Sequence, residues 1–274
     1  MNIGAHLSIA GGISNAAQKA KKHKLNSLQI FSGSPRGWQA PIIDSKEIKK
    51  FKTIIKKAKI SPVFIHAKYL TSPGSERQDL QKKSTDSLIN DMKIAEKIGA
   101  VGVIFHPKLD NLDIIVKNIQ LILKNSPVKT QLILENSARM KIEDLGKIFK
   151  KIKSKRLTFC LDTAHAFEAG YNLNDTKEMI KLFDIIQKNI GFKRLVAIHT
   201  NNSKTAHGSN HDIHADLSSG QIIPEVFSVF VNHPKTKNIP FILETPSLKE
   251  KEWQSTEKNI SFLIKLTIAK TTSL

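Results

Sequence analysis

The sequence predicts a (β/α)8 TIM barrel, an α/β fold in which eight parallel strands alternate with helices. First, short apolar runs rich in Val, Ile, Leu and Phe recur along the 274 residues, each followed by a longer amphipathic or lysine-rich segment. Such alternation is typical of buried parallel strands joined by crossovers. Second, eight such units in roughly 250 residues match the size of this barrel. The runs are NIGAH (2–6), SLQIF (27–31), PVFIH (62–66), VGVIFH (101–106), QLILE (131–135), LTFCLD (157–162), LVAIH (195–199) and PFILE (240–244).

A doubly wound open sheet is the alternative architecture. The first turn argues against it, because no GxGxxG follows the first run. The hydrophobic content of 40% suffices for a sizeable core, and no short repeat, low-complexity tract or linker-like change of composition divides the chain. We therefore expect a single domain that spans residues 1–274.

The composition is typical of a cytoplasmic protein. No stretch approaches the roughly 18 uncharged apolar residues of a membrane span. The first residues, MNIGAHLSIAGG, lack the basic flank and long apolar region of a secretory signal. The single cysteine, Cys160, excludes an internal disulfide framework and suits a reducing cytosol. Any metal site must therefore be built from His, Asp and Glu.

The formal net charge of +19 favours a polyanionic partner, and nucleic acid is the commonest polyanion of the cytosol. The alternative is a lysine-rich composition shared by a whole proteome. The runs KKFKTIIKKAK (49–59) and KKIKSKR (150–156) have the pattern of solvated helix faces and fit that alternative. Charge alone leaves both interpretations open.

Residue types that bind metals stand at the ends of six of the eight runs. Parallel barrel strands direct their C-terminal ends to one face, where the active site of such enzymes lies, so these side chains should converge. One strand that ends in histidine is ordinary, whereas six such ends favour a metal site. The six residues are His66, His106, Glu135, Asp162, His199 and Glu244.

Three further residues fit this cluster. In FCLDTAHAFEAGY (159–171), His165 lies one turn beyond Asp162, so both side chains face the same way if a helix begins there. The polar loop after the seventh run carries Asp212 and His214, which project to one side of an extended segment. Nine candidates are too many for one tetrahedral ion and suit two or three. We interpret Asp162 as the end of a strand rather than as a helix cap.

Ligation by nitrogen and oxygen without thiolate fits zinc, with manganese or iron as alternatives. Clustered divalent ions activate water, neutralise phosphate charge and stabilise a leaving oxygen. On a basic chain, this chemistry indicates hydrolysis of a phosphodiester in nucleic acid. Sugar isomerisation is the competing chemistry for a barrel that binds metals, although isomerases have less reason to be this basic.

The motifs resemble the endonuclease IV family of apurinic/apyrimidinic endonucleases, in order and over nearly the whole chain. The matching stretches are GAHLSIAGG (4–12), FSGSPRGW (31–38), HAKYL (66–70), FHP (105–107), LEN (134–136), LDTAHAFEAGY (161–171), HTNNSK (199–204), GSNHDIH (208–214) and LETP (243–246).

The resemblance implies a DNA repair enzyme that cleaves double-stranded DNA 5′ to an abasic site and leaves a 3′-hydroxyl and a 5′-deoxyribose phosphate. It implies three zinc ions, with manganese as an alternative, and attack on phosphorus by a metal-bridging hydroxide. By motif position, Glu135 is the catalytic residue and bridges two ions. The other assignments are His66 and His106 to one ion, Asp162, His199 and Glu244 to a second, and His165, Asp212 and His214 to a third.

Arg36, Tyr69 and Leu70 match the family residues that penetrate the duplex. The family flips the abasic nucleotide into its pocket, a step that costs less where base pairing is already lost. We expect a monomer with no obligate protein partner and no membrane association, acting in the cytoplasm, and at the nucleoid in a prokaryote.

The chain also departs from the family pattern, although at no predicted ligand. Lys68 and Lys108 are, from charge alone, candidates for phosphate contacts. The alternatives are a divergent homologue that binds abasic DNA without cutting it, and a sugar isomerase or epimerase on the same barrel. The departures are Lys68 for Pro, Lys108 for Gly, Ala164 for Cys, Asn202 for Asp, Ile213 for Arg, and Ser137-Ala138-Arg139-Met140 for a glycine-rich segment.

Overall fold

Eight parallel strands close into a barrel, and two further short strands form a separate antiparallel pair. A computed structural model describes residues 1–39, 42–245 and 252–268. The barrel confirms the predicted fold class, and each predicted run coincides with a barrel strand to within one residue at either end. The strands are β1 (Ile3–Leu7), β2 (Ser27–Phe31), β3 (Val63–His66), β4 (Gly102–Phe105), β5 (Gln131–Glu135), β6 (Leu157–Asp162), β7 (Leu195–His199), β8 (Asn202–Ser203), β9 (His214–Ala215) and β10 (Phe241–Leu243). The order around the barrel is β1-β10-β7-β6-β5-β4-β3-β2, and β8 pairs with β9.

Helices connect the barrel strands. In α2 the Asp44 side chain accepts a hydrogen bond from the Lys46 amide at 3.0 Å and caps the helix, while Phe51 and Ile54 are buried. The lysines of the 49–59 run are exposed, as expected of a solvated face. Among the described residues, no helix is long and apolar enough to cross a bilayer. The helices are α1 (Ile13–Lys22), α2 (Ser45–Ala58), α3 (Gln78–Ile98), α4 (Leu112–Lys124), α5 (Ile142–Lys151), α6 (Thr163–Glu168), α7 (Thr176–Asn189), α8 (Pro224–Asn232) and α9 (Glu252–Ile268).

The chain forms two compact units, whose segments alternate along the sequence. The N-terminal unit consists of His6–Glu135 and Asp144–Phe159, and its strands β2 to β5 pair consecutively in parallel. The C-terminal unit consists of Met1–Ala5, Asn136–Glu143 and the described part of Cys160–Leu274, and its β10 pairs with both β1 and β7. A single domain over residues 1–274 stays a prediction.

Arg156 holds the loop between α4 and β5 in the N-terminal unit. Its guanidinium donates to the carbonyl oxygens of Leu123 and Pro127, both at 2.7 Å. It also donates to the Thr130 carbonyl at 3.0 Å and to Ser126 Oγ at 2.7 Å. Because β5 begins directly after this loop, the guanidinium fixes the start of a strand that ends in a predicted metal ligand.

Asn202 holds the segment after β9 in the C-terminal unit. Its Nδ2 donates to the carbonyl oxygens of Leu217 at 2.9 Å and Ile222 at 2.8 Å. Its Oδ1 accepts from the amides of Ser203 and Ile222, both at 2.8 Å. An aspartate, the usual family residue, lacks the two N–H donors that this buried position uses. Asn202, at which the chain departs from the family pattern, therefore anchors the segment after β9.

Candidate metal centre

Three predicted ligands lie together in the N-terminal unit. His66 ends β3, Glu135 ends β5, and His106 lies one residue beyond β4. Nε2 of His66 and Nε2 of His106 lie 3.3 and 3.4 Å from Oε2 of Glu135. His66 and Glu135 are buried, whereas His106 is partly exposed. Solvent therefore reaches this group from the side of His106.

One hydrogen bond sets the tautomer of His66. Its Nδ1 lies 2.8 Å from the Ala67 carbonyl oxygen. Because a carbonyl oxygen only accepts, Nδ1 carries a proton, so the neutral ring would present the lone pair of Nε2 to Glu135. Two electron-rich atoms 3.3 Å apart are unfavourable unless they share a proton or a metal ion. A divalent ion fits this arrangement, and a carbonyl that orients the ring is the usual support of a metal-binding histidine.

A second group lies in the C-terminal unit. His199 ends β7, Asp162 ends β6, and Glu244 follows β10 directly. Nδ1 of His199 lies 3.2 Å from Oε2 of Glu244 and 4.0 Å from Oδ2 of Asp162. His199 and Asp162 are fully buried, and all three offer ligand atoms within 4.8 Å of one another. One imidazole and two carboxylates suit a divalent ion such as zinc.

His165, Asp212 and His214 form a third group in the same unit. Oδ1 of Asp212 lies 3.2 Å from Nε2 of His165 and 3.4 Å from Nε2 of His214. The two Nε2 atoms face each other at 3.4 Å. The Asn136 carbonyl, 3.0 Å from Nδ1 of His165, accepts the Nδ1 hydrogen, so the neutral form of the ring would offer an unprotonated Nε2. Facing nitrogens beside a carboxylate again fit a shared cation.

Asp162 is also the N-cap of α6, so the prediction that it is not a helix cap is wrong. Its Oδ1 accepts the amide hydrogen of His165 at 2.8 Å, while its Oδ2 lies 3.7 Å from Nε2 of His214. A carboxylate has two oxygens and can perform both roles. The cap starts α6 at the position that brings His165 to the third group.

Asn201 aligns two predicted ligands, although it was not itself a predicted site residue and stands in the HTNNSK motif (199–204). Its Nδ2 donates to Oδ2 of Asp162 at 2.7 Å, and its Oδ1 accepts from the Glu244 amide at 2.9 Å. The Thr163 hydroxyl donates to its backbone carbonyl at 2.6 Å. In the sequence, its position two residues after the predicted ligand His199 is the feature that could have indicated this role.

We expect Asn201→Ala to lower the zinc affinity of the group that contains Asp162 and Glu244 by about 10- to 100-fold, because it removes the amide that orients both. Loss of these buried hydrogen bonds should also lower the free energy of unfolding by about 1–3 kcal/mol. Zinc competition with a chromophoric chelator and urea denaturation measure the two effects. Asn125→Ala, at an exposed helix end, is the control. Equal zinc affinity in both variants would contradict the orienting role.

His6 lies beside a predicted ligand but was not among the predicted site residues. Its Nδ1 lies 3.0 Å from Nε2 of Gln29, and its ring centroid lies 5.9 Å from that of His66. It therefore flanks the ligand group of the N-terminal unit. The signal was present, because His6 ends the first apolar run just as the predicted ligands end theirs.

The predicted DNA-contacting residues lie on neighbouring loops of the N-terminal unit. Arg36 is exposed, Tyr69 is 56% exposed, and Leu70 is partly exposed. The Tyr69 amide donates to the Pro35 carbonyl at 3.2 Å, so the loops after β2 and β3 are joined. The exposed Lys108 ammonium lies 3.5 Å from the Tyr69 carbonyl. Contact with DNA by these residues stays a prediction.

Lys68 points inward, which contradicts the expectation that it contacts phosphate. It is only 3% exposed, and its Nζ lies 3.1 Å from Oγ of Ser87 and 3.5 Å from Oδ1 of Asp91. Ser32 donates to the same Asp91 oxygen at 2.6 Å. Burial raises the pKa of the Asp91 carboxyl, and the Lys68 ammonium and the Ser32 hydroxyl oppose this shift. The pair is internal and ties the loop after β3 to α3.

The fold and these side chains together define a class of protein: a TIM barrel with groups of histidine and carboxylate that could hold metal ions at the ends of its strands. A family model described as "Xylose isomerase-like TIM barrel" matches residues 17–266. A D-tagatose 3-epimerase-like structure has a TM-score of 0.72 at 19% identity, over 98% of this chain and 99% of that one. At this identity the likeness shows the fold alone.

Two further relatives are more similar in sequence. "Probable endonuclease 4" of Halothermothrix orenii is 37% identical over 269 residues, which cover 92% of this chain and 96% of that protein. The crystal structure of endonuclease IV from Thermus thermophilus has a TM-score of 0.87 and 30% identity, over 97% of this chain and 100% of that one. The chain belongs to the endonuclease IV family, which confirms the resemblance, and it is an enzyme of the endonuclease class.

Proposed function

We propose that this chain hydrolyses the phosphodiester 5′ to an abasic site in double-stranded DNA and leaves a 3′-hydroxyl and a 5′-deoxyribose phosphate. One observation supports the proposal: in a member of the endonuclease IV family, histidine and carboxylate side chains among the nine predicted ligands lie close enough together to hold divalent ions. Three zinc ions, with manganese as the alternative, would bind there. The barrel fold is common to isomerases, so the fold by itself does not distinguish the two activities.

The assignment of residues follows the three groups. Bound divalent ions supply activated water, neutralise phosphate charge and stabilise the leaving 3′ oxygen. His66, His106 and Glu135 would hold one ion, Asp162, His199 and Glu244 a second, and His165, Asp212 and His214 a third.

The chain's own contribution is to present the ligand atoms in the correct protonation state. The Ala67 and Asn136 carbonyls hold His66 and His165 as Nδ1–H tautomers, so both rings offer Nε2 without a rearrangement. Glu135 and Asp162 are fully buried, which keeps the positions of both carboxylates defined. Preorganisation of this kind lowers the cost of stabilising charge that develops at phosphorus.

The net charge and several exposed loop residues support DNA as the substrate. The net charge of +19 attracts the phosphate backbone irrespective of sequence. Arg36 and Tyr69 are exposed on joined loops of the unit that also holds His66 and His106. An aromatic ring and a guanidinium at the surface suit insertion beside an unpaired position, where flipping the abasic nucleotide costs least.

The proposal is tested with a duplex that carries one synthetic abasic site. Protein loaded with zinc or manganese should nick the damaged strand on the 5′ side of the lesion, and chelation should abolish nicking. An undamaged duplex of the same sequence is the control. If neither metal supports nicking while a known family member cuts the same duplex, the proposal fails. Tight lesion binding in that case would identify a non-cutting binding protein, and turnover of free ketoses would identify an isomerase.

A further inference from the structure

Glu168, the last residue of α6, is a buried carboxylate beside the third ligand group. It is 0% exposed and lies three residues after His165, one helical turn away. Its Oε1 accepts from the Ser203 hydroxyl at 2.7 Å, the Ile213 amide at 3.3 Å and the Thr205 hydroxyl at 3.4 Å. Burial raises the pKa of the Glu168 carboxyl, and the Ser203 hydroxyl opposes this shift. The three donors to Oε1 fix how the carboxylate is oriented.

The second oxygen of Glu168 has a different environment. Oε2 is buried and has no hydrogen-bond partner within residues 1–39, 42–245 and 252–268. A carboxylate oxygen of Glu168, a ring nitrogen of His165 and a carboxylate oxygen of Asp212 lie within 4.8 Å of one another. A buried acceptor without a donor is costly, and a buried carboxylate needs a compensating positive charge. A bound cation meets both requirements.

We propose that Glu168 is a fourth protein ligand of the ion held by His165, Asp212 and His214. The inference rests on the metal centre of the proposed function and adds a residue that the family assignment of nine ligands does not include. Two neutral imidazoles and two carboxylates balance the charge of a divalent ion and complete a four-coordinate shell. Asp212 is exposed, so Glu168 supplies the shielded anionic ligand of this ion.

The test compares zinc binding by the unmodified protein and by Glu168→Gln. Glutamine has nearly the same shape and keeps an oxygen that accepts from Ser203 and Ile213, but it lacks the charge and is a poor zinc ligand. Each protein is equilibrated with a series of chelator-buffered zinc concentrations, and bound zinc per chain is measured by elemental analysis. We expect one of three equivalents to bind about 10- to 100-fold more weakly in the variant, with the other two unchanged.

Glu143→Gln is the matched control, since Glu143 is a carboxylate of the same unit that accepts the Tyr171 hydroxyl hydrogen. It should bind zinc as the unmodified protein does. If Glu168→Gln does not fold, as judged by circular dichroism, Glu168→Asp is measured in the same way and should weaken the same single equivalent. Unchanged zinc binding in a folded variant at Glu168 would overturn the inference and leave Glu168 as a support of the loop that carries Ile213.

The outcomes separate this inference from the proposed function. If the unmodified protein nicks abasic duplex and Glu168→Gln binds three zinc ions with unchanged affinity, only the inference fails. If one equivalent depends on Glu168 but the loaded protein cuts no abasic duplex, the inference stands and the proposed function fails. If the unmodified protein binds no zinc or manganese, both fail.

Discussion

Glu135→Gln is expected to reduce incision of an abasic duplex by more than about 10³-fold, in the range seen when one member of a catalytic constellation is removed. Glu135 is fully buried at the end of β5, and its Oε2 lies within 3.4 Å of ring nitrogens of both His66 and His106. Glutamine retains the shape but loses the negative charge that a divalent ion requires. Single-turnover rates of nicking with zinc-loaded protein measure the effect.

His106→Ala should act in the same direction, because it removes the partly exposed imidazole of the same group. Glu178→Gln, at a partly exposed carboxylate that pairs with Lys181, should leave the rate unchanged. Affinity for abasic duplex is measured separately, so that loss of binding is distinguished from loss of chemistry. A Glu135→Gln enzyme that cuts within tenfold of the unmodified rate would show that Glu135 is not the catalytic carboxylate.

Lys68→Met should lower the free energy of unfolding by about 3–5 kcal/mol, the usual effect of removing one partner from a buried ion pair. Asp91 is fully buried and would keep the Ser32 hydroxyl, 2.6 Å away, without the ammonium that offsets its charge. Urea denaturation monitored by circular dichroism measures the change. The loop that carries Tyr69 follows Lys68 directly, so the variant should also bind abasic duplex more weakly.

Lys82→Met is the matched control, because the Lys82–Asp86 pair is a lysine–aspartate pair on an exposed face of α3. Its loss should leave the unfolding transition within experimental error. The double variant Lys68→Met with Asp91→Leu should recover much of the lost stability, since an apolar pair leaves no unpaired buried charge. If Lys68→Met unfolds at the same urea concentration as the unmodified protein, Asp91 does not need the ammonium as its partner.

The barrel strands and the predicted ligands were accessible from sequence because both depend on local patterns. Buried parallel strands require continuous apolar runs, and these runs coincide with the eight barrel strands. Polar residues that interrupt such a run at its end, as His66, Glu135 and His199 do, are unusual enough to signal function. Parallel topology then predicts that they share one face.

The residues that orient the ligands could not be predicted in this way. Asn201 and Glu168 belong to polar or helical stretches in which such residues are common, and only distances distinguish them from solvated side chains. Asp162 was predicted to be a metal ligand at a strand end and not a helix cap, because a sequence does not show that its two carboxylate oxygens face different partners. Lys68 looked like a surface cation, yet the fold places Asp91 and Ser87 where its ammonium must turn inward.

The sequence by itself determined the barrel, the order of its strands along the chain, the nine candidate ligands and the endonuclease IV resemblance. Each of these follows from residue type and spacing. The tertiary structure alone decided which carbonyl oxygens orient the histidine rings, which polar groups support the predicted ligands and which polar groups are buried. The physical reason is that burial and hydrogen-bond geometry arise between residues far apart in the chain, as the 35-residue separation of Ser203 and Glu168 illustrates.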